Sequence, residues 1–452
     1  MKLLLINTVD TNNPVELLFP PLGLAYVASY LRNHIAGIKV VIISDKIEEE
    51  IRSFQPDIVG LSAVSQNFNL AKEYAGICKS CGVPVIIGGT HISALPNTMT
   101  SDMDLAVIGE GEQTMVEIVR RFLDEGKRLD SCRELAGVAY REDGKLHLNP
   151  PRAEITTLDC IPFPARDLLA IPRQGIIHLF SSRGCPYRCN FCVSSRYWEK
   201  LRFFSAEYVL EEIDRVVAEY KPITIGFYDD LFIASKPRLI EIVEGLEKRE
   251  YGNKIEFVLN GRANLINDEM AVLLKRMNVV AVNLGLESGS DRILSYLKGE
   301  AATVETNRKA LEVLHRHGIN SHGTFIIGSP GETEEDILAT EAFIRDSTLF
   351  SFDVYLLTPY PGTPVWETAL ARGLVSEEMD WNRLIQEPHG RDPGKILFSD
   401  TVTVEKLYDY YLKFQRLNKI RLVASRIRTV LHNPGRLFPA IRKHLATRLS
   451  FT

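Results

Sequence analysis

Three cysteines within eight residues are the feature of this sequence most able to do chemistry. Cys185, Cys189 and Cys192 lie in the segment SRGCPYRCNFC, residues 182–192. Three thiolates at this spacing can wrap one 4Fe–4S cube, and because a cube has four irons, one iron is left without a protein ligand. Such an iron can bind a ligand through amino and carboxylate groups and pass it an electron. The spacing therefore predicts an iron–sulfur site with an open coordination position.

A zinc site is the alternative, and it would need a fourth ligand. Cys132 and Cys160 are available only at a distance along the chain, and no second local pair of ligands exists. The seven cysteines are unevenly spaced, unlike a disulfide framework, so metal binding in a reducing compartment is the better interpretation.

Length and composition point to a globular protein of two or three domains. The chain has 452 residues, of which 45% are hydrophobic and 25% charged, and its net charge of -5 gives no sign of general nucleic-acid binding. The N-terminal segment MKLLLINTVDTNN is apolar for too few residues to be a signal peptide or a membrane span. We therefore expect a cytoplasmic protein that begins with a buried strand.

Apolar strands alternate with helical stretches over residues 1–125. The predicted strands are Lys2–Asn7, Lys39–Ser44, Ile58–Ser62, Pro84–Ile87 and Leu105–Ile108. Helices between them imply a parallel sheet covered on both faces, a doubly wound, Rossmann-like domain. Ligands of such domains lie beyond the carboxyl ends of the strands, where this chain has small residues that suit the close approach of a large ligand: Ser62, Gly88, Gly89 and Gly109.

Residues 126–175 contain a predicted hairpin over residues 138–148 and several prolines, and we predict a linker there. Strand–helix alternation resumes over residues 176–370, where six units predict a partial (β/α)6 barrel with its reactive groups at the carboxyl ends of the strands. The helices of this region begin at good capping residues: Ser205, Asn267, Thr303 and Thr333. Residues 371–452 are predicted to form a helical C-terminal region. The fold class is therefore α/β.

The cysteine motif after the first strand of a partial barrel resembles the radical S-adenosylmethionine (SAM) superfamily. The resemblance implies that Cys185, Cys189 and Cys192 hold a 4Fe–4S cluster, which cleaves SAM reductively to methionine and a 5′-deoxyadenosyl radical. It also implies an electron donor such as flavodoxin or ferredoxin.

Later strand ends resemble the SAM-binding motifs of this superfamily. The matching positions are Asp229 and Asp230 (the methionine end of SAM), Arg262 (a polar strand end), Glu287 (the ribose), and Gly328 with Pro330 (the adenine). A structural interpretation stands beside each: the acids would cap helices, and the glycines would only turn the chain.

A doubly wound domain ahead of the barrel resembles the cobalamin-binding subgroup of the superfamily. Ser62 matches its Ser-x-Leu/Val element, Gly88 and Gly89 match its glycine pair, and Gly109 belongs to a similar IGEGE segment. The chain lacks the Asp-x-His-x-x-Gly pattern near the first strand, so we do not expect a histidine of the protein as the lower cobalt ligand. We expect His91 to hydrogen-bond within its own loop.

The resemblance thus predicts a cobalamin-dependent radical SAM enzyme that methylates an unactivated carbon of a small-molecule substrate. A radical SAM enzyme of the same architecture that rearranges, cyclises or couples its substrate is one alternative. A noncatalytic iron–sulfur or zinc protein is another. Candidate substrate contacts, each of which could equally be packing, are Trp366, Trp381, His389, Tyr410 and Tyr411.

The segment from Tyr410 to Thr452 carries Lys and Arg throughout and contains no Asp or Glu. A basic helix with an apolar face is typical of a segment on an anionic membrane surface, where each basic residue is worth about 1 kcal/mol. The alternative is a helix whose apolar face packs on the barrel. We predict weak, salt-sensitive peripheral association with anionic membranes.

Overall fold

The structure is a computed structural model that describes residues 1–171, 174–249, 251, 254–385 and 394–432. Of residues 14, 15 and 426–432 it describes the backbone. His389 and the basic residues beyond His432 lie outside the described residues.

The strands, numbered in chain order, are β1 (Lys2–Asn7), β2 (Lys39–Ile43), β3 (Ile58–Ser62), β4 (Val85–Gly88), β5 (Leu105–Val107), β6 (Val138–Glu142), β7 (Lys145–Leu148), β8 (Ile176–Leu179), β9 (Ser182–Arg183), β10 (Arg202–Phe203), β11 (Thr224–Phe227), β12 (Glu256–Gly261), β13 (Val279–Glu287), β14 (Asn320–Ile327) and β15 (Ser351–Leu356).

The helices are α1 (Pro14–Leu17), α2 (Leu22–His34), α3 (Ile47–Phe54), α4 (Phe68–Ser80), α5 (Thr90–Ala94), α6 (Gly111–Asp124), α7 (Ser194–Tyr197), α8 (Ala206–Tyr220), α9 (Lys236–Glu247), α10 (Asp268–Arg276), α11 (Asp291–Lys298), α12 (Val304–Arg316), α13 (Glu334–Asp346), α14 (Pro364–Ala371) and α15 (Val404–His432).

The N-terminal sheet is parallel over β1–β5, in the order β2-β1-β3-β4-β5. Leu3, Leu4 and Ile6 on the inner strand β1 are completely buried, as expected of a strand covered on both faces. The doubly wound prediction is confirmed. The hairpin that we predict within a linker instead continues this sheet, because β6 pairs antiparallel with β5 and β7 with β6. Turn residues predict a hairpin locally, whereas its docking on β5 depends on the buried Val138 and Ala139.

The described chain divides into two compact units. Unit 1 comprises Met1–Asn260, Arg276–Val279 and Thr358–Ile396; unit 2 comprises Gly261–Lys275, Val280–Leu357 and Leu397–Thr452. In unit 1, β8, β11 and β12 run parallel in that order, and in unit 2, β13, β14 and β15 do the same. Each predicted barrel strand is therefore a parallel strand, and helices separate them.

Local capping chemistry begins several of these helices where the sequence predicts it. The side chains of Ser205, Asn267, Thr303 and Thr333 each accept a hydrogen bond from the backbone N–H three residues on. Gly318, with a φ of +66°, follows the end of α12, as predicted.

Helix α15 packs along the strand β15 in unit 2. Phe414 is completely buried, and Asn418 accepts a hydrogen bond from Phe352 N (3.0 Å) and donates one to Asp353 (3.1 Å). Lys413 forms an ion pair with Glu341 (2.6 Å). This part of the basic segment therefore follows the packing alternative. Within the described part of the chain, no helix combines the length and apolar character needed to cross a membrane.

Candidate cofactor-binding site

The cysteine loop leaves β9 through a turn that only glycine fits. Gly184 has a φ of +90°, and a Cβ there would lie 2.7 Å from the carbonyl oxygen of Lys200. Cys185, Cys189 and Cys192 are partly exposed, and burial raises the pKa of the Cys185 thiol to about 11. Since thiolates are the ligands of iron, binding of a cluster must release protons here.

Neither of the other cysteines considered for a zinc site joins this loop. Cys132 is completely buried, with its Sγ 3.6 Å from the carbonyl oxygen of Ile118, and Cys160 is exposed. Across the described residues, no three His, Cys, Asp or Glu side chains are grouped so that they could hold one metal ion. A cube does not require such convergence, because each cysteine binds a different iron. The donor set of the loop therefore fits a cluster better than zinc.

The two aspartates after β11 have different surroundings. Asp229 is buried and accepts hydrogen bonds from Ser181 N (2.6 Å), from the Ser181 hydroxyl and from the Ser182 hydroxyl (2.8 Å). Its backbone oxygen accepts from Asn260 Nδ2 (2.9 Å). Asp229 thus ties β11 and β12 to the start of the cysteine loop. Asp230 accepts from the Ser194 hydroxyl and lines a cavity. In the described residues, neither aspartate caps α9, whose N-cap is Ser235.

That cavity has a volume of about 730 Å³ and lies within unit 1. The N-terminal sheet contributes its carboxyl strand ends, which include Ser62, Gly88, Gly89 and Gly109. The cavity is mainly apolar in lining and of the size expected for a cofactor site. The sequence prediction that these four residues share one site agrees with this placement.

The segment that follows the three motif cysteines lines the same cavity. Val193 and Ser194 line it, together with Asp230, Phe180 and Tyr360. Residues predicted to hold a corrin and residues beside the predicted cluster therefore face one space.

The glycines at the strand ends of the cavity differ in the space beside their backbone. A Cβ on Gly88 would meet no atom closer than 3.9 Å, and one on Gly109 would meet none within 4 Å, so both leave open space beside the backbone. Gly89 has a φ of +105°, and its Cβ would lie 2.5 Å from the carbonyl oxygen of Ala63. Gly89 is thus required by the fold itself. Open space beside the backbone at Gly88 and Gly109 fits a large flat ligand such as a corrin ring.

His91 hydrogen-bonds Thr98 in its own loop, as predicted, and also Ser65 in the segment after β3. Its ring nitrogens contact Ser65 Oγ (3.1 Å) and Thr98 Oγ1 (3.0 Å), and the ring stacks on Phe68. Burial lowers the pKa of His91 to about 3, so it is neutral. Trp381 packs edge-on against His91 and stacks with Trp366. Both tryptophans are buried and act as packing residues, which leaves them unsuited to substrate contact.

Four aromatic rings meet at the carboxyl ends of β8 and β11. Tyr228 stacks on His178 with 4.0 Å between ring centroids and also contacts Phe180 and Phe19. Burial lowers the pKa of His178 to about 4, so the whole group is uncharged at neutral pH. Phe19 is half exposed, and its neighbours Leu17 and Leu18 are exposed as well. The sequence carries no local signal for this group, because its members come from three separate segments.

In unit 2, Glu287 lies at a β-bulge where the pairing of β13 with β14 shifts register. It is buried, with a φ of +60°, a conformation that costs a non-glycine residue of order 1–3 kcal/mol and is typical of functional sites. Its carboxylate lies 3.4 Å from Lys298 Nζ, and Gly285 leaves room for it, since a Cβ there would lie 2.3 Å from Glu287 Oε1. In unit 2, α11 has Ser290 as its N-cap, so Glu287 does not cap it.

The acidity of Glu287 depends on two cations. Burial raises the pKa of this carboxyl, while the charges of Lys298 and Arg262 oppose that effect. The structure thus brings Arg262 and Glu287 together. Lys298 was missed by sequence reasoning, since its position one helix beyond the bulge carries no local signal.

Glu332 organises the loop that contains Gly328 and Pro330. Its Oε2 accepts hydrogen bonds from Gly328 N (2.5 Å) and Ser329 N (3.0 Å), and Gly328 has a φ of +85°. Burial raises the pKa of Glu332 to about 7. The glycine turns the chain, as the structural interpretation requires, and presents a fixed backbone in the predicted adenine motif.

Comparison with known proteins identifies both parts of the chain. The family model of the radical SAM superfamily matches residues 179–344, and that of the B12 binding domain matches residues 10–119. An uncharacterized methyltransferase of Pyrococcus horikoshii is 35% identical over 382 residues (80% of this chain and 81% of that protein). An anaerobic magnesium-protoporphyrin IX monomethyl ester cyclase of Rubrivivax gelatinosus is 27% identical over 414 residues (84% and 72%).

Among solved structures, the radical SAM methyltransferase TsrM of Kitasatospora setae, determined with cobalamin and a 4Fe–4S cluster bound, has the same fold. Its TM-score is 0.67 at 19% identity, covering 82% of this chain and 75% of TsrM. The predicted order, a Rossmann-like domain followed by a partial barrel, is confirmed. This chain belongs to the radical SAM superfamily, in the subgroup whose members carry a B12 binding domain ahead of the SAM-cleaving barrel.

Proposed function

We propose that this enzyme is a cobalamin-dependent radical SAM methyltransferase that acts on an unactivated carbon of a small molecule. The observation that carries the proposal is the shared cavity of unit 1. Its lining includes Gly88, Gly109 and neighbouring strand ends, together with Val193 and Ser194, which directly follow the three motif cysteines. When bound, the cluster supplies the electron that cleaves SAM, and the corrin supplies the methyl group.

The residues of the chain bind and orient the cofactors and the substrate, and they exclude water. This is usual for enzymes whose cofactors carry the hard chemistry. Cys185, Cys189 and Cys192 would hold the cluster. Asp230 would meet the methionine end of SAM, because its carboxylate faces the cavity, whereas that of Asp229 is used in bracing the loop.

In unit 2, Glu287 would accept hydrogen bonds from the ribose hydroxyls. Arg262 and Lys298 favour the ionised carboxylate that does this. Backbone groups around Gly328 and Pro330 would contact the adenine.

The substrate would meet the aromatic group at the ends of β8 and β11. Phe19, His178, Phe180 and Tyr228 offer uncharged ring faces, and Phe180 lines the cavity. A ring-bearing, largely apolar substrate fits these surfaces, because aromatic rings gain about 0.5–1.5 kcal/mol from offset or edge contacts beyond simple burial.

Ring formation without methyl transfer is the second candidate function. It is favoured by the similarity to the cyclase of Rubrivivax gelatinosus, which covers 84% of this chain. S-adenosylhomocysteine distinguishes the two functions, because it must accompany methylation and has no place in cyclisation.

The test uses anaerobically reconstituted protein with SAM, a strong reductant and candidate extracts. Wild type should contain one 4Fe–4S cluster, form 5′-deoxyadenosine, and form S-adenosylhomocysteine with its substrate. The triple variant with Cys185, Cys189 and Cys192 changed to Ala should do none of these. Equal 5′-deoxyadenosine from the variant would refute the assignment, and 5′-deoxyadenosine with product but no S-adenosylhomocysteine would establish the second candidate.

The cellular setting forms part of the proposal. A flavodoxin or ferredoxin would supply electrons in the cytoplasm. We retain weak association of the basic segment with anionic membranes, supported by the exposed Ile420 and Val423 on the described part of α15.

A further inference from the structure

Arg183 occupies an unusual position two residues before the first cluster cysteine. Its guanidinium contacts two carboxylates at the start of α6, the N-cap residue Glu110 at 2.6 Å and Glu112 of the first turn at 2.5 Å. All three side chains are at least nine-tenths buried. One planar guanidinium therefore bridges the IGEGE segment of the cobalamin-binding sheet and the loop that would hold the cluster.

A second arginine, Arg202, pairs with one of the same carboxylates. Arg202 on β10 lies 3.1 Å from Glu110, and β10 pairs antiparallel with β9, which contains Arg183. This short ribbon closes the cysteine loop at its base, with Arg202 opposite Arg183. Glu110 thus receives cations from both strands of the ribbon.

Further contacts fix the loop around Gly109. The hydroxyl of Tyr197 donates to the carbonyl oxygen of Gly109 (2.7 Å). The rings of Tyr26 and Trp198 each lie 5.6 Å from the Arg183 guanidinium. The cavity residue Gly109 is therefore joined to the segment after the three cysteines by a hydrogen bond as well as by the neighbouring ion pairs.

The ionisation of the network is consistent with this arrangement. Burial disfavours a charged guanidinium, yet Glu112 and Glu110 outweigh it and raise the pKa of Arg183 above its ordinary value. Burial would also raise the pKa of Glu110, but Arg202 and Arg183 hold it below its usual range.

Stability alone is a weak reason for such a network. Two buried ion pairs lose most of their attraction to desolvation, and well-packed apolar residues would often serve as well. What an arginine shared between two carboxylates adds is geometry, because its planar fork fixes the distance and angle between the groups it joins. Enzyme sites must hold reacting groups within about 0.5 Å of their productive positions.

We propose that Arg183 is a positioning residue whose ion pairs with Glu110 and Glu112 set the separation between the corrin and the cluster. This rests on the proposed function, in which both cofactors face the same cavity. Arg183 neither ligates iron nor touches the reacting atoms. Its loss should leave both cofactors bound but imprecisely placed.

The experiment compares wild type with Arg183→Met, both reconstituted with iron, sulfide and hydroxocobalamin and then reduced. Arg249→Met is the matched control, because Arg249 forms a bidentate pair with Asp214 (2.7 and 2.8 Å) away from the cavity lining of unit 1. Iron and cobalamin contents are measured first. EPR spectroscopy then measures the magnetic interaction between cob(II)alamin and the reduced cluster, which falls with the cube of their separation.

Arg183→Met should keep both cofactors at wild-type stoichiometry, while its EPR interaction changes by an amount equivalent to about 1 Å or spreads over several values. The ratio of 5′-deoxyadenosine to S-adenosylhomocysteine should rise by roughly tenfold to a hundredfold, since a misplacement of about 1 Å costs about 100-fold. Arg249→Met should match wild type in each measurement.

If Arg183→Met does not accumulate as folded protein, Glu112→Gln is the second variant that tests the positioning role. It preserves the shape of the side chain and leaves Arg183 paired with Glu110. An intermediate EPR change is expected for it. An unchanged EPR interaction in a loaded Arg183→Met or Glu112→Gln protein would overturn the positioning role. Wild type that bound no cobalamin would instead overturn the proposed function.

Discussion

Replacement of Glu332 by Gln should make the protein more stable at pH 8 and remove part of its pH dependence. Glu332 Oε2 accepts two backbone hydrogen bonds, from Gly328 and Ser329, whereas Oε1 is enclosed without a partner in the described residues. A glutamine oxygen can accept the same two bonds. Its amide carries no charge, so the desolvation of a buried carboxylate disappears.

The magnitude follows from the pKa. The ordinary value is 4.5, and burial raises that of Glu332 to about 7, although two backbone N–H groups oppose this. A raised pKa means that the folded protein holds its proton more tightly than the unfolded chain, so stability falls as pH rises through this window. At about 1.4 kcal/mol for each pH unit, the loss between pH 4.5 and pH 7 is about 3 kcal/mol.

Urea unfolding of wild type and Glu332→Gln at pH 5 and pH 8 tests this reasoning. Other titrating groups contribute equally to both proteins and cancel in the difference. The free energy of unfolding of the variant, relative to wild type, should increase by about 2–3 kcal/mol from the lower to the higher pH. A difference independent of pH would show that Glu332 has an ordinary pKa, and a less stable variant at pH 8 would show that the loop depends on the charge.

Three further predictions concern the cofactors and the C-terminal helix. Gly88→Leu should fill open space in the cavity and abolish hydroxocobalamin binding with iron content unchanged; equilibrium binding near one per chain would place the corrin elsewhere. Glu287→Gln and Lys298→Met should each weaken SAM binding about tenfold or more in isothermal titration, without loss of the cluster. The reason is that a charge-assisted contact is worth about 1.5–3 kcal/mol. An unchanged affinity would make Glu287 purely structural. A chain ending at His432 should pellet less with anionic vesicles at low salt than the full chain does. Equal pelleting would show that the terminal segment has no part in membrane binding. A chain ending at Asp409 is unsuitable because it would lack the buried Phe414.

Much of the fold follows from local patterns. Strands such as Lys2–Asn7 and Ile58–Ser62 lie where predicted, because a run of apolar residues bounded by turn residues has few other stable conformations. Capping residues act within three positions of themselves, so Ser205 and Thr303 begin their helices as expected. The cysteine motif is equally local, since its three thiols lie within eight residues.

The site was less predictable where one motif contains different environments. Asp229 and Asp230 are adjacent and chemically identical, yet Asp229 braces Ser181 and Ser182 while Asp230 faces the cavity. Gly88 and Gly89 differ in the same way, because a Cβ would clash with the backbone of another strand end at Gly89 but not at Gly88. A sequence motif names such residues together, and only their packing separates their roles.

By itself, the amino-acid sequence determined the order of the elements, the α/β class and the residues able to hold a cluster, all of which depend on spacing along the chain. The tertiary structure decided that Arg183 would meet Glu110 and Glu112, more than 70 residues earlier, and that Glu287 would turn into a bulge beside Lys298. It also added the hairpin over residues 138–148 to the sheet. These contacts join segments with no local preference for one another, and they form only when burial of the surrounding apolar surface brings the segments together.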